Sequence, residues 1–153
     1  WMLNGSLFKS KYMGGDNIWR NSRMDRGFVV KALAGKEWTL GKKGNKILGV
    51  NVKLTYQGGE RYSPIDYIES EKNHLIEVDE TKAYSLQLPP SFISDLSINY
   101  RINKEKVSHE FSFQLLNLNG FKNTYYQYNI LTNQVEKKHS ASLVPNIRYK
   151  LFF

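Results

Sequence analysis

Cysteine is absent from the 153 residues, which excludes a disulfide scaffold, thiolate zinc sites and thiol catalysis. No run approaches the roughly 18 consecutive apolar residues that a membrane-spanning helix needs, and mean hydropathy is −0.52. Metal-ligand spacing is missing too. His74 and His139 fall in loops and His109 at a strand start, with no pair at hairpin or helical spacing. Ser108-His109 and His139-Ser140 are neighbours, but neighbours along a strand point to opposite faces, which leaves a barrel-surface hydrolase with a Ser–His dyad as the lesser alternative. No catalytic residue, metal or cofactor is expected.

Positive charge and aromatic rings are plentiful. Twenty-two Lys+Arg stand against 14 Asp+Glu for a net +8, and 14% of residues are aromatic, ten of them Tyr. Basic, ring-rich surfaces can hold nucleic acid through phosphate contacts and base stacking. Here, however, the basic residues are scattered. The densest groups are Lys42-Lys43, Lys104-Glu105-Lys106 and Lys137-Lys138, all in turn-like contexts, and no nucleic-acid motif accompanies them. They read as solvated turns, and no nucleic-acid partner is expected. The chain begins at Trp1 rather than Met, which reads as a piece of something longer.

Period-2 alternation dominates. Over Ile47–Gln57, Leu48, Val50, Val52, Leu54 and Tyr56 oppose Gly49, Asn51, Lys53, Thr55 and Gln57, one apolar and one polar surface of a strand. Phe92–Ile102, Val107–Asn117 and the last nine residues repeat the pattern; Phe28–Leu40 is noisier, with Lys36 on the wrong face, and about Met2–Tyr12 is ambiguous in face. The pattern predicts an all-β chain with strands at about 2–12, 28–40, 47–57, 92–102, 107–117 and 145–153. Within the connection after Gln57, Ser63-Pro64-Ile65-Asp66 reads as a helix start: Ser as N-cap, Pro at the first helical position, about two turns to follow. The acids of that connection lack the spacing of a calcium loop.

The connections alternate in length. Gly41–Lys46 and Asn103–Lys106 are compact, whereas about Met13–Gly27, Gly58–Ser91 and Leu118–Val144 are long. In an antiparallel up-and-down meander this puts every short turn at one end and every long loop at the other. Such asymmetry, with strands of about 9–11 residues, marks transmembrane β-barrels. Aromatics also cluster at both ends of the apolar face. Phe28, Tyr56 and Phe92 lie toward the long loops, and Trp38, Tyr100 and Phe153 toward the short turns, an arrangement suited to two interfacial girdles. Alternation alone leaves the face that points inward open. A soluble β-barrel or β-sandwich binding a small ligand buries its apolar face, whereas a membrane barrel turns that face to lipid.

Several runs carry a resemblance: Gly5–Tyr12 (GSLFKSKY), Trp19-Arg20-Asn21, Leu33–Trp38 (LAGKEW), Leu54–Pro64 (LTYQGGERYSP), Ala83–Pro89 (AYSLQLP), Asp95–Asn103 (DLSINYRIN) and Tyr149–Phe153 (YKLFF). Together they resemble the C-terminal end of TonB-dependent outer-membrane receptors of the Bacteroidota type, over nearly the whole chain. The resemblance implies the last six strands of a 22-stranded barrel in the outer membrane. It further implies solute uptake energised by the TonB complex through a plug region that this chain lacks, and no catalysis. The terminal Ile147, Tyr149, Leu151 and Phe153 are similar to the signal read by the barrel-assembly machinery. Phe121–Ser142 matches the family poorly.

If a sugar, peptide or chelate is bound, the residues suited to hold it are Trp19, Arg20, Arg61, Tyr62 and Tyr84, whose rings and donors stack and hydrogen-bond. Lys31, Lys53 and Arg101 on the lumen face are expected to favour anionic solutes.

Overall fold

The computed structural model describes residues 1–153. It is all-β apart from one short helix and one 3-10 turn. In chain order the elements are β1 (Met2–Leu7), β2 (Lys11–Met13), β3 (Trp19–Asn21), β4 (Phe28–Leu40), β5 (Lys46–Gln57), β6 (Arg61–Tyr62) and β7 (Ile65–Asp66). These are followed by α1 (Tyr67–Asn73), β8 (Glu77–Val78), a 3-10 turn (Glu80–Lys82), β9 (Leu86–Gln87), β10 (Ser91–Asn103), β11 (Ser108–Leu116), β12 (Lys122–Asn129), β13 (Gln134–Ala141) and β14 (Val144–Phe152).

Six strands form one antiparallel sheet in the order β1-β4-β5-β10-β11-β14. Among these six, sequence neighbours are spatial neighbours, so the sheet is an up-and-down meander. It stays open: β1 and β14 each have one unpaired edge. The short turns after β4 and β10 lie side by side, joined by the Asn103 N–H donating to the Asn45 carbonyl at 2.7 Å. The three long connections occupy the other end.

Register decides the faces. Trp38, Leu48, Tyr100, Phe111 and Tyr149 form one row of directly opposed residues; Ala34, Val52, Leu96 and Leu115 form another. Directly opposed residues share a face, so the apolar stripes of successive strands merge into one surface. Nothing in the chain covers it. Val52, Leu54, Tyr56, Phe92, Phe111 and Phe113 are exposed, as is Ile147 at 81%. The buried residues of the six strands are instead Gly49, Thr55, Ser91, Glu110 and Ser112, all on the polar face. Ala83, outside the sheet, is the only buried hydrophobic side chain. Where the sheet buries strand residues, in β5, β10 and β11, it buries them on its polar face.

On that polar face, ion pairs and hydrogen bonds cross the strands. Lys53 Nζ meets Asp95 Oδ2 at 2.7 Å. Arg101 Nε donates to Glu110 Oε2 at 3.0 Å, and the Asn117 N–H donates to Asp95 Oδ1 at 3.0 Å. Gly35 opposes Asn51, and a Cβ there would stand 2.0 Å from the Asn51 amide oxygen. Lys36 does lie on the apolar face, opposite Val50. Its ammonium lies over the Trp38 ring, 5.6 Å from the centroid, so the stem covers apolar surface while the charge moves toward the strand end.

The connections hold more structure than alternation predicts. The first strand does not run to Tyr12: it ends at Leu7, and Lys11–Met13 pairs with Trp19–Asn21 in a separate hairpin. The 118–144 connection is not a plain loop but contains the hairpin of β12 and β13. The helix starts three residues later than Ser63-Pro64 suggests. Asp66 is its N-cap, accepting from the Glu69 N–H at 3.1 Å, and His74 closes it with a left-handed φ of 57°. Ser63 cannot cap because its hydroxyl accepts from the Tyr84 N–H at 3.2 Å, and Pro64 is held by the Asp79 N–H donating to its carbonyl at 2.9 Å. Strand ends at 107–117 and 145–153 shift by one residue, to Ser108–Leu116 and Val144–Phe152.

The first and second long connections meet at a glycine pair with no room for a side chain. A Cβ on Gly58 would stand 1.8 Å from the Arg26 carbonyl oxygen, and one on Gly59 would stand 1.9 Å from that of Leu88. Both obstacles are backbone and cannot swing aside. Gly58→Ala is therefore expected to destabilise the protein by about 1–3 kcal/mol, measured as a lowered unfolding midpoint, whereas alanine at Gly5, which has open space around it, leaves the midpoint unchanged.

Candidate functional site

The first two long connections converge on Asp25, which is 2% exposed. Its Oδ1 accepts from the Ser10 N–H at 3.0 Å and its Oδ2 from Arg61 Nε at 3.0 Å; Arg61 Nε also donates to the Asp25 carbonyl at 3.1 Å. A buried carboxylate needs this full set of partners, because an isolated charge away from water is costly. Beside it, Glu60 pairs with Arg26 and, at 3.4 Å, with Arg23. Gln87 Nε2 donates to the Gly59 carbonyl at 3.1 Å. The first two connections thus form one charged latch over the end of the sheet.

Arg61, Tyr62 and Tyr84 line a single cleft of about 360 Å³, together with Arg23, Tyr125 and Tyr126. The strand pair β6–β9 fixes Arg61 and Tyr62, and β12 supplies Tyr125 and Tyr126. The Tyr62 and Tyr126 rings lie 5.8 Å apart, and Tyr84 meets Tyr12 edge-on at 6.2 Å. Hydrogen bonding with the Tyr126 side chain, then partial burial, raises the Tyr62 phenol above its ordinary range. Tyr84 sits at a φ of 54°, a conformation that bulky residues rarely adopt. Tyrosine faces, phenol groups and a guanidinium held by Asp25 give this cleft stacking surface and hydrogen-bonding capacity.

Trp19 and Arg20 lie elsewhere, on β3 of the small hairpin. Arg20 grips Asp16 with two hydrogen bonds, Nη1–Oδ1 at 2.9 Å and Nη2–Oδ2 at 2.6 Å, and Trp19 is exposed. Neither lines the Arg61 cleft. The charges expected on the lumen face share the polar side of the sheet, but they are not equivalent. Lys53 and Arg101 are offset by Asp95 and Glu110, and Lys31 carries no ion pair. Ile147, Tyr149 and Leu151 lie on the apolar face of β14, opposite Phe113, Phe111 and His109, and Phe153 follows the last paired residue.

The histidines occupy three separate polar contacts. His74 Nδ1 is 3.1 Å from the Tyr128 hydroxyl and 3.0 Å from Asn133 Oδ1; His109 Nδ1 is 2.8 Å from the Tyr149 hydroxyl; His139 Nδ1 is 3.0 Å from Thr124 Oγ1. No group of three or more His, Asp or Glu side chains gathers in metal-binding geometry. Sequence reasoning missed Asp25 and Glu60 because isolated acids carry no pattern. It also missed Tyr125 and Tyr126, which lie on a hairpin read as loop. A Tyr-Tyr pair in alternating sequence was the available signal. No family model matches the chain, and no curated protein or solved structure matches it.

Two outcomes follow from this geometry. Asp25→Asn strands the Arg61 guanidinium, and loss of one member of such a buried pair costs about 3–5 kcal/mol. Limited proteolysis is expected to cut the 8–27 and 58–90 segments of that variant faster than in the wild type. The Arg20 hydrogen bonds hold Asp16 down from 3.8 to about 2. The pair therefore stabilises the hairpin fully above the unfolded value and loses that contribution as the pH falls from about 4 through about 2. Trp19 fluorescence is expected to stay flat from neutral pH to about 4 and change only below it; in Asp16→Asn this low-pH step disappears.

Proposed function

We propose that the six-stranded sheet is a section of the wall of a transmembrane β-barrel, of the TonB-dependent receptor type, in the outer membrane, with solute uptake as its non-catalytic role. One observation carries this reading: the apolar face of all six strands is uncovered while the enclosed strand residues lie on the polar face. In water that arrangement exposes far more contiguous apolar surface than a monomer tolerates. Against hydrocarbon it is the favourable one.

The girdles support the same reading. The Leu48 row, with Trp38, Tyr100, Phe111 and Tyr149, and the Tyr56–Phe92 row are eight residues apart on β5, about 26 Å along the strand at ~3.3 Å per residue. Tilted by about 40° as barrel strands are, this spans about 20 Å of depth and fits within a lipid-facing band about 25 Å tall. The free edges of β1 and β14 then belong against flanking strands, since unpaired backbone groups in hydrocarbon cost several kcal/mol each. Ile147, Tyr149, Leu151 and Phe153 serve as the strand that the barrel-assembly machinery reads. The Arg61–Tyr62–Tyr84 cleft at the long-connection end contacts the arriving sugar, peptide or chelate, and TonB acts through a plug region outside these residues.

Site-directed fluorescence tests this reading in the complete protein reconstituted in bilayers. A bimane label on Val52→Cys or Phe113→Cys is expected to be quenched by brominated acyl chains, and one on Asn51→Cys or Ser112→Cys by aqueous iodide. Quenching by iodide at all four positions, with the protein remaining soluble, would favour the alternative: a soluble β-barrel or β-sandwich that buries this face against a further layer and binds a small ligand there.

A further inference from the structure

The net positive charge is concentrated at one end of the molecule. The register row Lys36–Val50–Ile98–Phe113–Ile147 divides the sheet across its strands. On the short-turn side of that row, segments 36–50, 98–113 and 147–153 hold nine Lys/Arg and three Asp/Glu, so they carry six of the eight net positive charges. The long-connection end, which holds most of the acids, is nearly balanced.

The turns themselves account for most of the imbalance. Lys42, Lys43 and Lys46 come from one turn, Lys104 and Lys106 from the other, with Glu105 their only acidic companion. The Asn103–Asn45 backbone hydrogen bond holds the two turns together, so five cations project from one small surface. All five are exposed, and none is in an ion pair. Arg101, by contrast, is taken up by Glu110. Five lysines around the single Glu105 repel one another, and no ion pair offsets any of them.

Their position indicates what does. The aromatic row of Trp38, Tyr100, Phe111 and Tyr149 lies on the apolar face just above the turns, with Lys46 in the next row beyond it. Interfacial rings sit at headgroup level, so cations immediately outside them stand in the phosphate layer. Lys36, drawn over Trp38, points its charge the same way.

Building on the barrel reading above, we propose that this end of the sheet is a binding surface for the headgroups of anionic phospholipids in the leaflet on the short-turn side. Its lysines form a ring segment that selects acidic over zwitterionic lipid. The contact is electrostatic and screened by salt. Each lysine near an anionic membrane surface adds roughly fivefold to binding.

The test uses the complete protein reconstituted in nanodiscs made from mixed phosphatidylcholine and phosphatidylglycerol, then extracted gently, with the copurifying lipid measured by mass spectrometry. Wild-type protein is expected to retain phosphatidylglycerol several-fold above its share of the bulk mixture. K42Q/K43Q/K104Q/K106Q and wild type extracted in about 0.5 M salt are expected to fall to the bulk ratio. K137Q/K138Q, which removes charge from the opposite end, is expected to behave as wild type. Insertion with no enrichment, or enrichment that survives the fourfold substitution, overturns the headgroup site and leaves the barrel reading standing. Failure of the wild type to insert into either lipid overturns both.

Discussion

The twelve-residue pairings of β5 with β4 on one side and with β10 on the other are the constraint on which the rest depends. Side chains on a strand alternate with a period of two, so a one-residue slip would send every apolar residue to the opposite face. Here Leu54 faces Ala32 and Ser94, Val52 faces Ala34 and Leu96, and Leu48 faces Trp38 and Tyr100. Contacts on the polar face resist slippage as well. Gly35 leaves the space that Asn51 fills, and Lys53 finds Asp95 only in this register. From that lock come the continuous apolar surface, the polar opposite face and the segregation of short turns from long connections.

The two ends of the sheet solve different physical problems. At the long-connection end, charges are neutralised internally: Asp25 with Arg61, Glu60 with Arg26 and Arg23, Asp16 with Arg20. Those pairs hold the connections together and leave a tyrosine-lined cleft. At the short-turn end there is almost no internal neutralisation, and the lysines face outward beside aromatic rings. A single net charge describes neither end. The overall +8 averages a nearly neutral long-connection end and a strongly cationic short-turn end.

Much of the sheet was legible from alternation because most of its strands are long and one face is predominantly apolar. Phe28–Leu40 was recovered at both ends, and Ile47–Gln57 and Phe92–Ile102 to within a residue, despite Lys36. Short elements were not legible. The pairs Arg61–Tyr62 with Leu86–Gln87 and Ile65–Asp66 with Glu77–Val78 are too brief to show any period. The hairpin of β12 and β13 carries Tyr and Lys on both faces, since it is not half-buried against a core. The helix start was misread because Ser63 and Pro64 have partners distant in sequence, Tyr84 and Asp79.

By itself, then, the sequence determined the all-β class, five of the six sheet strands to within a residue, their apolar and polar faces and the alternation of short and long connections. These are local properties, written in residue spacing. Only the tertiary structure decided that the buried strand residues lie on the polar face, that Arg61, Tyr62 and Tyr84 share a cleft while Trp19 and Arg20 do not, and that Lys53 and Arg101 are neutralised where the turn lysines are not. Each of those facts depends on which distant residues meet, and a pattern with a period of two carries no information about partners across the fold.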